Sequence, residues 1–563
     1  MAWSLANSKN DESSKIRWEL VPFMHGRAID IGCGPYKIFP HFVGVDSGKQ
    51  WGTRGADVVS SGEKIDLFAN ESCDCVYSSH LLEHIPDWKN ALKEWWRMVK
   101  VGGHLCLYLP HKDFYPNVGN RVHFRDWFQS QTLDGDIAIE AYVLPRREQG
   151  ITLPGPLYAG TPYCNPDHKH DFYPQDIIEA MEEIGGWDLV ENQERNQEDE
   201  YSFFQSYRKL PVKEIKEIRH SWKVKPEKTC AVVRYGAIGD QIMASSILPH
   251  LKEQGYYVTF YCQDGPGYEC IKHDPYVDRF IVQGRDEVPN PFLGEFWDYT
   301  KKKYDKWVNL CESVECALLA SPGRHNWEWP NEVRAKYLDR NYIEWTHELA
   351  QVPPPYRPKF YSTLPEKAWA KNKARSYGKR NILWSLSGSS GHKTWPYLDE
   401  TIIRILTAYS DVHIVLVGDE LCRLLETGWE SEKRVHCMSG KWTIRESMSF
   451  AEVCDLVIGC ETGLLNAAGS MDCAKIVCLS HSSPEMLTKH WKHVTVLQQP
   501  KGIGCPKSPC RQLHGGNNSD TWMDCPFHAD EKMKVALCQY HISPEMMWGA
   551  IQNVLSAGER MVA

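Results

Sequence analysis

The sequence predicts an α/β protein with one Rossmann-like domain near the N-terminus and a pair of Rossmann-like domains after it. Short apolar runs end in glycine-rich turns at residues 27–35 and again at residues 232–245. After each turn, helical and strand-like segments alternate, which is typical of parallel sheets covered by helices. Two such turns in separate domains predict two reactions carried by one chain.

Composition agrees with a globular protein of several domains. The chain has 563 residues, of which 42% are hydrophobic and 24% are charged, and this length predicts about three to four domains of ordinary size. The net charge of −9 argues against a broad basic face for nucleic acid but leaves a local basic groove open. We expect most of the 22 tryptophans to pack in cores instead of forming sugar-binding platforms.

The sequence also predicts a cytoplasmic protein. No apolar run approaches the roughly 20 residues that span a bilayer, and the N-terminal segment has no apolar core of the signal-peptide type. The 20 cysteines are scattered along the chain, so we interpret them as mostly reduced thiols. Peripheral membrane contact and the oligomeric state stay open.

The N-terminal domain contains a nucleotide-site pattern. A short strand-like run leads into a turn with Gly32 and Gly34, and the next run ends at Asp46. A tryptophan-rich helix is predicted at 87–100, followed by two glycines and a strand at 104–110. Glycine lets a cofactor approach the backbone closely, and an acidic residue at the end of the next strand is placed to bind ribose hydroxyls.

The order of these segments resembles the class I S-adenosylmethionine-dependent methyltransferases, of the methyltransferase type 11 kind. The segments are DIGCGP, VGVD, CDCVYSSHLLEHIPDW and WWRMVKVGGHLCLYLP. The resemblance implies that S-adenosyl-L-methionine is the cofactor. It implies contacts with the methionine end from Asp30, Gly32 and Gly34, with the ribose from Asp46, with the adenine from Ile65, Asp66 and Leu67, and from Ser79 and His80 after the fourth strand.

The turn between Gly34 and Asp46 departs from the family pattern. Eleven residues separate the two positions, and Pro35 and Pro40 lie among them. Because proline prevents a regular helix interior, the first helix of the fold is predicted to be shortened to about one turn.

Several histidines are candidate bases for the methyl acceptor: His84, His111, His123, His168 and His170. The densest group lies at 166–174, where we expect a solvated loop beside the substrate. Metal binding by Asp167, His168 and His170 is the alternative there.

A D-x-D sequence, Asp134-Gly135-Asp136, matches the metal-binding motif of some glycosyltransferases. It lies inside the methyltransferase region and no suitable strand precedes it. We therefore do not assign it a metal.

Residues 211–228 are predicted to link the first domain, at 1–210, to a second enzyme. The segment is rich in lysine and contains two prolines. The second enzyme is predicted to have two Rossmann-like domains, at 229–375 and 376–563, with a ligand in the cleft between them.

This second part resembles glycosyltransferase family 9, the heptosyltransferase-like enzymes of GT-B fold. Its motifs are R-x-G-A-I-G-D-x-I from Arg234, K-x-W-P from Lys393, E-T-G-L-L-N from Glu461 and a cysteine-bearing tail. The resemblance implies an acceptor domain followed by a donor domain. It also implies an inverting transfer from a nucleotide-diphosphate sugar to a glycan or lipid-linked glycan.

Such a transfer needs a base for the acceptor hydroxyl and a cradle for the leaving diphosphate. By the resemblance, Asp240 is the base and Lys393 supplies a point charge to the phosphates. The loop at 387–391 offers backbone N–H groups and hydroxyls, and no divalent metal is expected. The implied nucleotide-sugar contacts are Gly239, Ser387, Gly388, Ser389, Lys393, Asp419 and Glu420 at the ribose, Glu461, Thr462 and Gly463 at a helix N-terminus, and Asn466.

Two features leave alternatives open. Asp240 is also a good helix N-cap, which would be a structural role. Glu461 stands where the family usually has Asp and Asn466 where it usually has His, so the sugar need not be heptose.

The tail contains Cys505, Cys510, Cys525, His528 and Cys538. Their spacing is not that of a standard zinc motif, so no metal is assigned. A structural zinc held by the four cysteines is the alternative.

The sequence therefore predicts a bifunctional enzyme of surface polysaccharide or lipopolysaccharide synthesis. It would join an inverting glycosyltransferase to a sugar O-methyltransferase. One alternative is a phage-type enzyme that modifies a DNA base or its sugar, with nucleic acid as its partner. Another is a chain in which one domain, more readily the methyltransferase, serves only for binding.

Overall fold

A computed structural model describes residues 12–48, 55–114, 157–158, 161–162, 169–197, 200–211, 226–388, 393–514, 525–529 and 535–562. The chain forms two compact units. The first comprises Met1–Lys225 and Gln283–Lys303, and the second comprises Pro226–Val282 and Tyr304–Ala563. No helix in the described part of the chain has the length and apolar character that a membrane span needs.

A seven-stranded sheet forms the centre of the first unit, in the order β3-β2-β1-β4-β5-β9-β8. The first five strands of this order run parallel, and β9 is antiparallel to both β5 and β8. A separate two-stranded sheet joins β6 and β7. The strands are β1 Ala28–Ile31, β2 Val43–Asp46, β3 Val58–Val59, β4 Cys73–Ser79, β5 Val99–Pro110, β6 Leu157–Tyr158, β7 Thr161–Pro162, β8 Trp187–Gln197 and β9 Glu200–Lys209.

The second unit contains two sheets of the kind predicted. The first has the order β12-β11-β10-β13, and the second has the order β16-β15-β14-β17-β18-β19 with every neighbouring pair parallel. The first strand of each sheet in chain order lies inside the sheet, as in Rossmann-like domains. The strands are β10 Thr229–Val233, β11 Tyr257–Gln263, β12 Arg279–Gln283, β13 Lys306–Asn309, β14 Arg380–Ser385, β15 Val412–Val417, β16 Val435–Cys437, β17 Leu456–Cys460, β18 Ala474–Cys478 and β19 Val494–Leu497.

Helices connect most of these strands, so the predicted α/β fold class, with one Rossmann-like sheet followed by two more, is confirmed. In the described part of residues 12–350 the α-helices are α1 Glu12–Leu20, α2 Trp88–Met98, α3 Pro174–Ile184, α4 Ile238–Ser245, α5 Leu248–Glu253, α6 Pro266–Ile271, α7 Leu293–Thr300, α8 Ser313–Ala317, α9 Asn331–Leu338 and α10 Tyr342–Ala350. Those that follow are α11 Leu364–Tyr377, α12 Leu398–Ala408, α13 Ile444–Ala451, α14 Gly463–Ala468, α15 Pro484–Leu487, α16 Leu537–Tyr540 and α17 Pro544–Val562.

The tryptophan-rich helix α2 shows how local sequence sets an element. Asp87 caps it by accepting a hydrogen bond from the backbone N–H of Asn90 at 3.2 Å. Trp95 is fully buried and donates its indole N–H to the Gly62 carbonyl at 2.8 Å. The helix ends at Met98, two residues earlier than predicted, because Val99 already pairs with β4 as the first residue of β5.

The connection from β1 to β2 contains no helix in its described residues, 32–42, which form turns instead. Phe39 and Phe42 of this connection are buried and stack on each other at 6.1 Å between ring centroids. The shortening predicted from Pro35 and Pro40 is therefore observed. The glycine turn lies directly beside the second strand, since the Gly32 N–H donates to the Val45 carbonyl at 2.8 Å.

The segment Gln283–Lys303 packs with the first unit, which the sequence pattern did not predict. Phe296 of α7 is buried against Trp18 of α1, with 5.7 Å between ring centroids. The carboxylate of Glu19 accepts a hydrogen bond from the Tyr299 hydroxyl at 2.6 Å and also pairs with Lys303. The predicted domain limits at 210, 228 and 375 stay predictions, and this segment completes the core of the first unit.

Candidate cofactor and donor sites

The glycine turn and the end of β2 form one connected structure in the first unit. Gly34 has a φ of +56° and Gly32 a φ of +78°, a backbone conformation that glycine adopts without strain. The Asp46 carboxylate accepts hydrogen bonds from the Gly34 N–H at 3.0 Å and the Gly48 N–H at 2.7 Å. These two bonds fix the orientation of Asp46 at the carboxyl ends of the parallel strands.

Asp30, which is predicted to contact the methionine end of the cofactor, forms a hydrogen bond within the fold. It is buried, and one of its oxygens accepts a hydrogen bond from the Ile38 N–H at 2.8 Å. The carbonyl of Ile38 in turn accepts a hydrogen bond from the buried Arg17 at 3.2 Å. Asp30 therefore holds the shortened β1–β2 connection in place.

The predicted adenine contacts differ in exposure. Ile65 is buried, and its N–H donates to Glu94 at 3.0 Å. Leu67 leaves 68% of its surface exposed, and Asp66 is exposed beside Lys64 at 3.3 Å. The exposed leucine offers an apolar surface, and the Asp66 carboxylate pairs with Lys64.

Ser79 and His80 lie where β4 ends. The Ser79 hydroxyl oxygen is buried and has no hydrogen-bond partner among the described residues. His80 has a φ of +46°, and its Nε2 lies 3.0 Å from the Ser202 hydroxyl. Burial lowers the pKa of His80 to about 3, so its imidazole is neutral.

A buried carboxyl lies beside these residues. Glu83 is fully buried, with Oε1 at 3.7 Å from His80 Nδ1 and at 3.8 Å from His84 Nε2. Burial, with the charge of Glu12 as a smaller contribution, raises the pKa of Glu83 to about 8. Glu83 thus holds its proton at neutral pH, a feature that the sequence did not reveal.

The remaining candidate bases are only partly described. His111 is buried and stacks on Phe114 at 3.9 Å between ring centroids. His170 Nε2 lies 3.0 Å from the Pro86 carbonyl. The other candidates lie outside the described residues: His123, His168, Asp167 and Asp134-Gly135-Asp136.

In the second unit, Asp240 occupies the start of α4. One of its oxygens accepts a hydrogen bond from the backbone N–H of the N-cap residue Ala237 at 2.8 Å, so Asp240 is the third helical residue and not the N-cap itself. Its other oxygen lies 2.7 Å from the guanidinium of Arg234. The side chain keeps 22% of its surface exposed, so it is partly accessible.

Arg234 connects Asp240 to a second carboxylate that the sequence analysis did not identify. Arg234 is buried and binds Glu315 through both guanidinium nitrogens, at 2.8 Å and 3.2 Å. It also donates to the Leu310 carbonyl at 2.8 Å. Arg234 is the first residue of the R-x-G-A-I-G-D-x-I motif, whereas Glu315 follows a different strand and belongs to none of the motifs.

The two distant motifs of the second unit meet at glycines. A Cβ on Gly239 would lie 2.6 Å from Asn466 Nδ2, and a Cβ on Gly463 would lie 2.3 Å from Ile238 Cγ2. Such distances are shorter than real Cβ contacts, so α4 and α14 approach as closely as glycine allows. Thr462 caps α14 by accepting a hydrogen bond from the Leu465 N–H at 3.3 Å.

The predicted phosphate loop is described on both sides of a gap. A Cβ on Gly388 would lie 2.7 Å from Lys393 Cδ, and the Ser387 hydroxyl lies 2.9 Å from the Thr394 hydroxyl. The structure therefore places Lys393 across the base of the loop. Ser389 lies outside the described residues.

Glu461 is held by internal partners. Its Oε1 accepts hydrogen bonds from the Ser480 N–H at 2.8 Å and the Ser482 N–H at 3.1 Å, and its Oε2 lies 2.7 Å from His481 Nδ1. Burial alone would raise the pKa of Glu461, but the charge and hydrogen bond of His481, with the charge of Lys393, hold it at about 2. The Glu461 carboxylate is thus ionised and bonded inside the fold.

The predicted ribose contacts follow β15 and are exposed. Asp419 accepts a hydrogen bond from the Cys422 N–H at 3.1 Å, and Glu420 pairs weakly with Arg423 at 3.5 Å. Both carboxylates lie at the carboxyl end of a parallel strand, the edge at which open α/β sheets bind ligands.

The four cysteines of the tail line one small cavity of about 20 Å³. They are Cys505, Cys510, Cys525 and Cys538, and His481 and His514 also line the cavity. Within the described part of the chain, no group of three or more His, Cys, Asp or Glu residues is placed to hold a metal ion. The four cysteines of the zinc alternative therefore lie close together, but the described residues do not arrange them as the ligands of a metal ion.

Comparison with known proteins finds a family model that matches part of the first unit. Residues 29–107 match the family model described as a methyltransferase domain. No curated protein matches the chain. The match confirms the methyltransferase resemblance predicted for the N-terminal part.

Several solved structures are similar to this chain. The E. coli ADP-heptose lipopolysaccharide heptosyltransferase II is 15% identical with a TM-score of 0.41, over 59% of this chain and 99% of its own. The family 9 glycosyl transferase of Veillonella parvula is 14% identical with a TM-score of 0.44, over 59% and 98% of the two chains. A SAM-dependent methyltransferase of Thermotoga maritima is 16% identical with a TM-score of 0.22, over 37% and 97%.

These structures include both families that the sequence resembles. The fold of the second unit follows from its own strand order.

Proposed function

We propose that this chain is a bifunctional transferase that joins an inverting, metal-independent glycosyltransferase to a sugar O-methyltransferase. The observation that carries the first activity is the contact of the two distant motifs in the second unit. Gly239 lies against Asn466, and Gly463 lies against Ile238. Asp240 is thereby held near the segment that follows β17.

The phosphate side of the site continues from the same contact. The Thr462 hydroxyl lies 3.2 Å from the Ser385 hydroxyl at the end of β14. From Ser385 the chain enters the loop in which Gly388 lies against Lys393. A chain of packed residues thus runs from Asp240, the proposed base, to Lys393, the proposed cation for the diphosphate. Glycosyl transfer needs both groups.

Asp240 and Lys393 account for the proton and the charge that the transfer moves. The acceptor hydroxyl gives its proton to the Asp240 carboxylate while its oxygen bonds to the anomeric carbon of the donor. The bond from that carbon to the phosphate oxygen breaks, and the nucleoside diphosphate leaves with the electron pair. Lys393 offsets the charge of the leaving group, and attack from the opposite side inverts the anomeric centre.

The first unit supports binding of S-adenosyl-L-methionine. The Asp46 carboxylate is fixed by the Gly34 and Gly48 N–H groups at the edge of the sheet where ribose is expected. The buried Ser79 hydroxyl oxygen, which has no hydrogen-bond partner among the described residues, lies at the same edge. The cofactor supplies an electrophilic methyl group when bound, and these residues would orient it.

A sugar hydroxyl as the methyl acceptor, and a surface polysaccharide or lipopolysaccharide as the product, extend this proposal. The support for them is the fusion itself, because one chain that transfers a sugar and methylates a hydroxyl can act twice on one glycan. Nucleotide sugar and a glycan or lipid-linked glycan are the partners that this reading implies.

Donor turnover tests the proposal. The full chain is incubated with ADP-heptose, ADP-glucose, GDP-mannose and UDP-glucose, and release of nucleoside diphosphate is measured with and without EDTA. We expect release from at least one donor, at a rate that EDTA leaves unchanged, because Lys393 and backbone amides replace a metal. No release from any donor, or a loss with EDTA that magnesium restores, would contradict it.

A further inference from the structure

Arg234 is clamped between two carboxylates that belong to different elements. Asp240 comes from α4, and its Oδ1 lies 2.7 Å from Nη2 of Arg234. Glu315 comes from α8, and its carboxylate faces both terminal nitrogens of the same guanidinium. Arg234 is only 2% exposed, whereas the Asp240 and Glu315 side chains keep 22% and 28% of their surface exposed, so a buried guanidinium faces two partly accessible carboxylates.

The charges of the cluster do not cancel. One guanidinium faces two carboxylates, which leaves one excess negative charge when both are ionised. Burial raises the pKa of Glu315, the charge of Asp240 raises it further, and Arg234 opposes both effects. A simple structural ion pair needs only one of the two carboxylates.

A carboxylate whose only charged neighbour is a buried arginine accepts a proton poorly. An opposite charge within about 4–6 Å stabilises the ionised carboxylate and lowers its affinity for a proton. Arg234 lies within that range of Asp240 and holds its carboxylate in place. A second carboxylate beside Arg234 offsets the positive charge of the guanidinium, and the contact between Arg234 and Asp240 is kept.

We infer that Glu315 is a positioning residue of the glycosyl-transfer site, which neutralises Arg234 so that Asp240 is held in place and still accepts the acceptor proton. This inference rests on the proposed role of Asp240 as the base. It adds a residue of α8 to a site otherwise formed by α4, α14 and the loop at Lys393.

The other titratable groups near the cluster do not replace Glu315. They are Tyr235, Cys311, Glu312, Cys316 and Tyr342. Burial raises the pKa of Cys311 to about 11 and that of Cys316 to about 12, and it raises the pKa of Tyr342 well above its ordinary value. These three groups keep their protons at neutral pH.

Glu312 is the nearest other carboxylate on the same segment. It is exposed and pairs with the exposed Arg324 at 2.8 Å. Its replacement removes a negative charge from the region without touching Arg234, so Glu312→Gln is a matched control for Glu315→Gln.

The test is the pH dependence of kcat/KM for nucleoside-diphosphate release from the most active of the four donors named above, with water as the acceptor. The acidic limb of such a profile reports the base of the free enzyme. We expect Glu315→Gln to move this limb to lower pH by about 1–2 units and to lower the plateau of kcat, with KM for the donor changed less than about twofold. Glu312→Gln should overlay the wild type.

A second variant separates charge balance from folding. In Arg234→Gln/Glu315→Gln the cation and its second partner are both removed, so we expect the acidic limb to return to within about half a unit of the wild type. An unshifted limb in folded Glu315→Gln, or a double variant that stays shifted, would overturn the inference while donor turnover by the wild type still supports the proposed function. A wild type inactive on every donor would overturn both.

Discussion

Gly239 and Asn466 belong to motifs far apart in the chain, yet a Cβ on Gly239 would lie 2.6 Å from Asn466 Nδ2. This contact joins the first helix of one Rossmann-like half to the helix after β17 in the other. Both motifs carry predicted donor-site residues, so the packing of two glycine-containing helices determines where Asp240 lies relative to the segment after β17.

The close approach of these helices predicts the effect of a single methyl group. In Gly463→Ala the new Cβ would overlap Ile238 and lie 3.2 Å from the Gly239 backbone nitrogen. We expect a loss of about 1–3 kcal/mol in the free energy of unfolding of the second unit, since overpacking forces the backbones apart. Calorimetric unfolding of the full chain measures it.

Gly549→Ala is the matched control. Gly549 lies within α17, and a Cβ there would meet nothing within 4 Å. We expect a gain of about 0.4–1 kcal/mol from the helix propensity of alanine. Equal effects of the two substitutions would show that the contact at Gly463 is not tight.

The fixed orientation of the Asp46 carboxylate predicts how its removal changes the affinity of the first unit for S-adenosyl-L-methionine. Its carboxylate is already oriented by the Gly34 and Gly48 N–H groups, so Asp46→Ala should weaken binding by about 1–3 kcal/mol, the range of a hydrogen bond to a charged group. Calorimetric titration of the full chain is the measurement, because Gln283–Lys303 completes the first unit. Asp188→Ala, on an edge strand where Asp188 pairs with Arg208, serves as the control.

Full-strength binding by Asp46→Ala would contradict the ribose role of Asp46. A similar loss in Asp188→Ala would indicate a general effect on the fold instead.

The raised pKa of Glu83 predicts how stability depends on pH. Unfolded, this carboxyl ionises near its ordinary value of 4.5, but burial keeps it protonated in the fold up to about pH 8. Between these values the folded state binds the extra proton, so the free energy of unfolding falls as pH rises. Glu83→Gln should remove that part of the dependence.

The measurement is the unfolding temperature of the first unit at about pH 5 and about pH 8, in the wild type, in Glu83→Gln and in the control Glu179→Gln. The transition of this unit is identified by its shift on adding S-adenosyl-L-methionine. Glu179 is exposed on α3, so its replacement should leave the pH dependence unchanged. Parallel curves for Glu83→Gln and the wild type would contradict the assignment.

Local patterns predicted much of the fold. The strand that ends before Gly32 and the strand that ends at Asp46 are observed as predicted, because each is a short apolar run closed by a turn. The shortened β1–β2 connection followed from two prolines. These features depend only on neighbours in the sequence.

Side-chain direction and distant contacts were not predictable in this way. Asp30 and Glu461 were predicted as ligand contacts, and carboxylate oxygens of both accept hydrogen bonds from backbone N–H groups of the fold. Glu315 lies near Asp240 only because β13 is the neighbour of β10 in the sheet. The packing of Phe296 on Trp18 likewise joins segments whose sequences contain no sign of each other.

The role of Asp240 is tested most directly by Asp240→Asn and Lys393→Ala, compared for donor affinity and turnover. Asparagine can still accept the Ala237 N–H, and Glu315 still neutralises Arg234, so Asp240→Asn should fold. We expect it to keep donor affinity while turnover falls by at least about a hundredfold, the scale of a general base. Lys393→Ala should weaken donor binding as well as turnover, because its charge meets the diphosphate before the reaction. Near-normal turnover by Asp240→Asn would contradict the account.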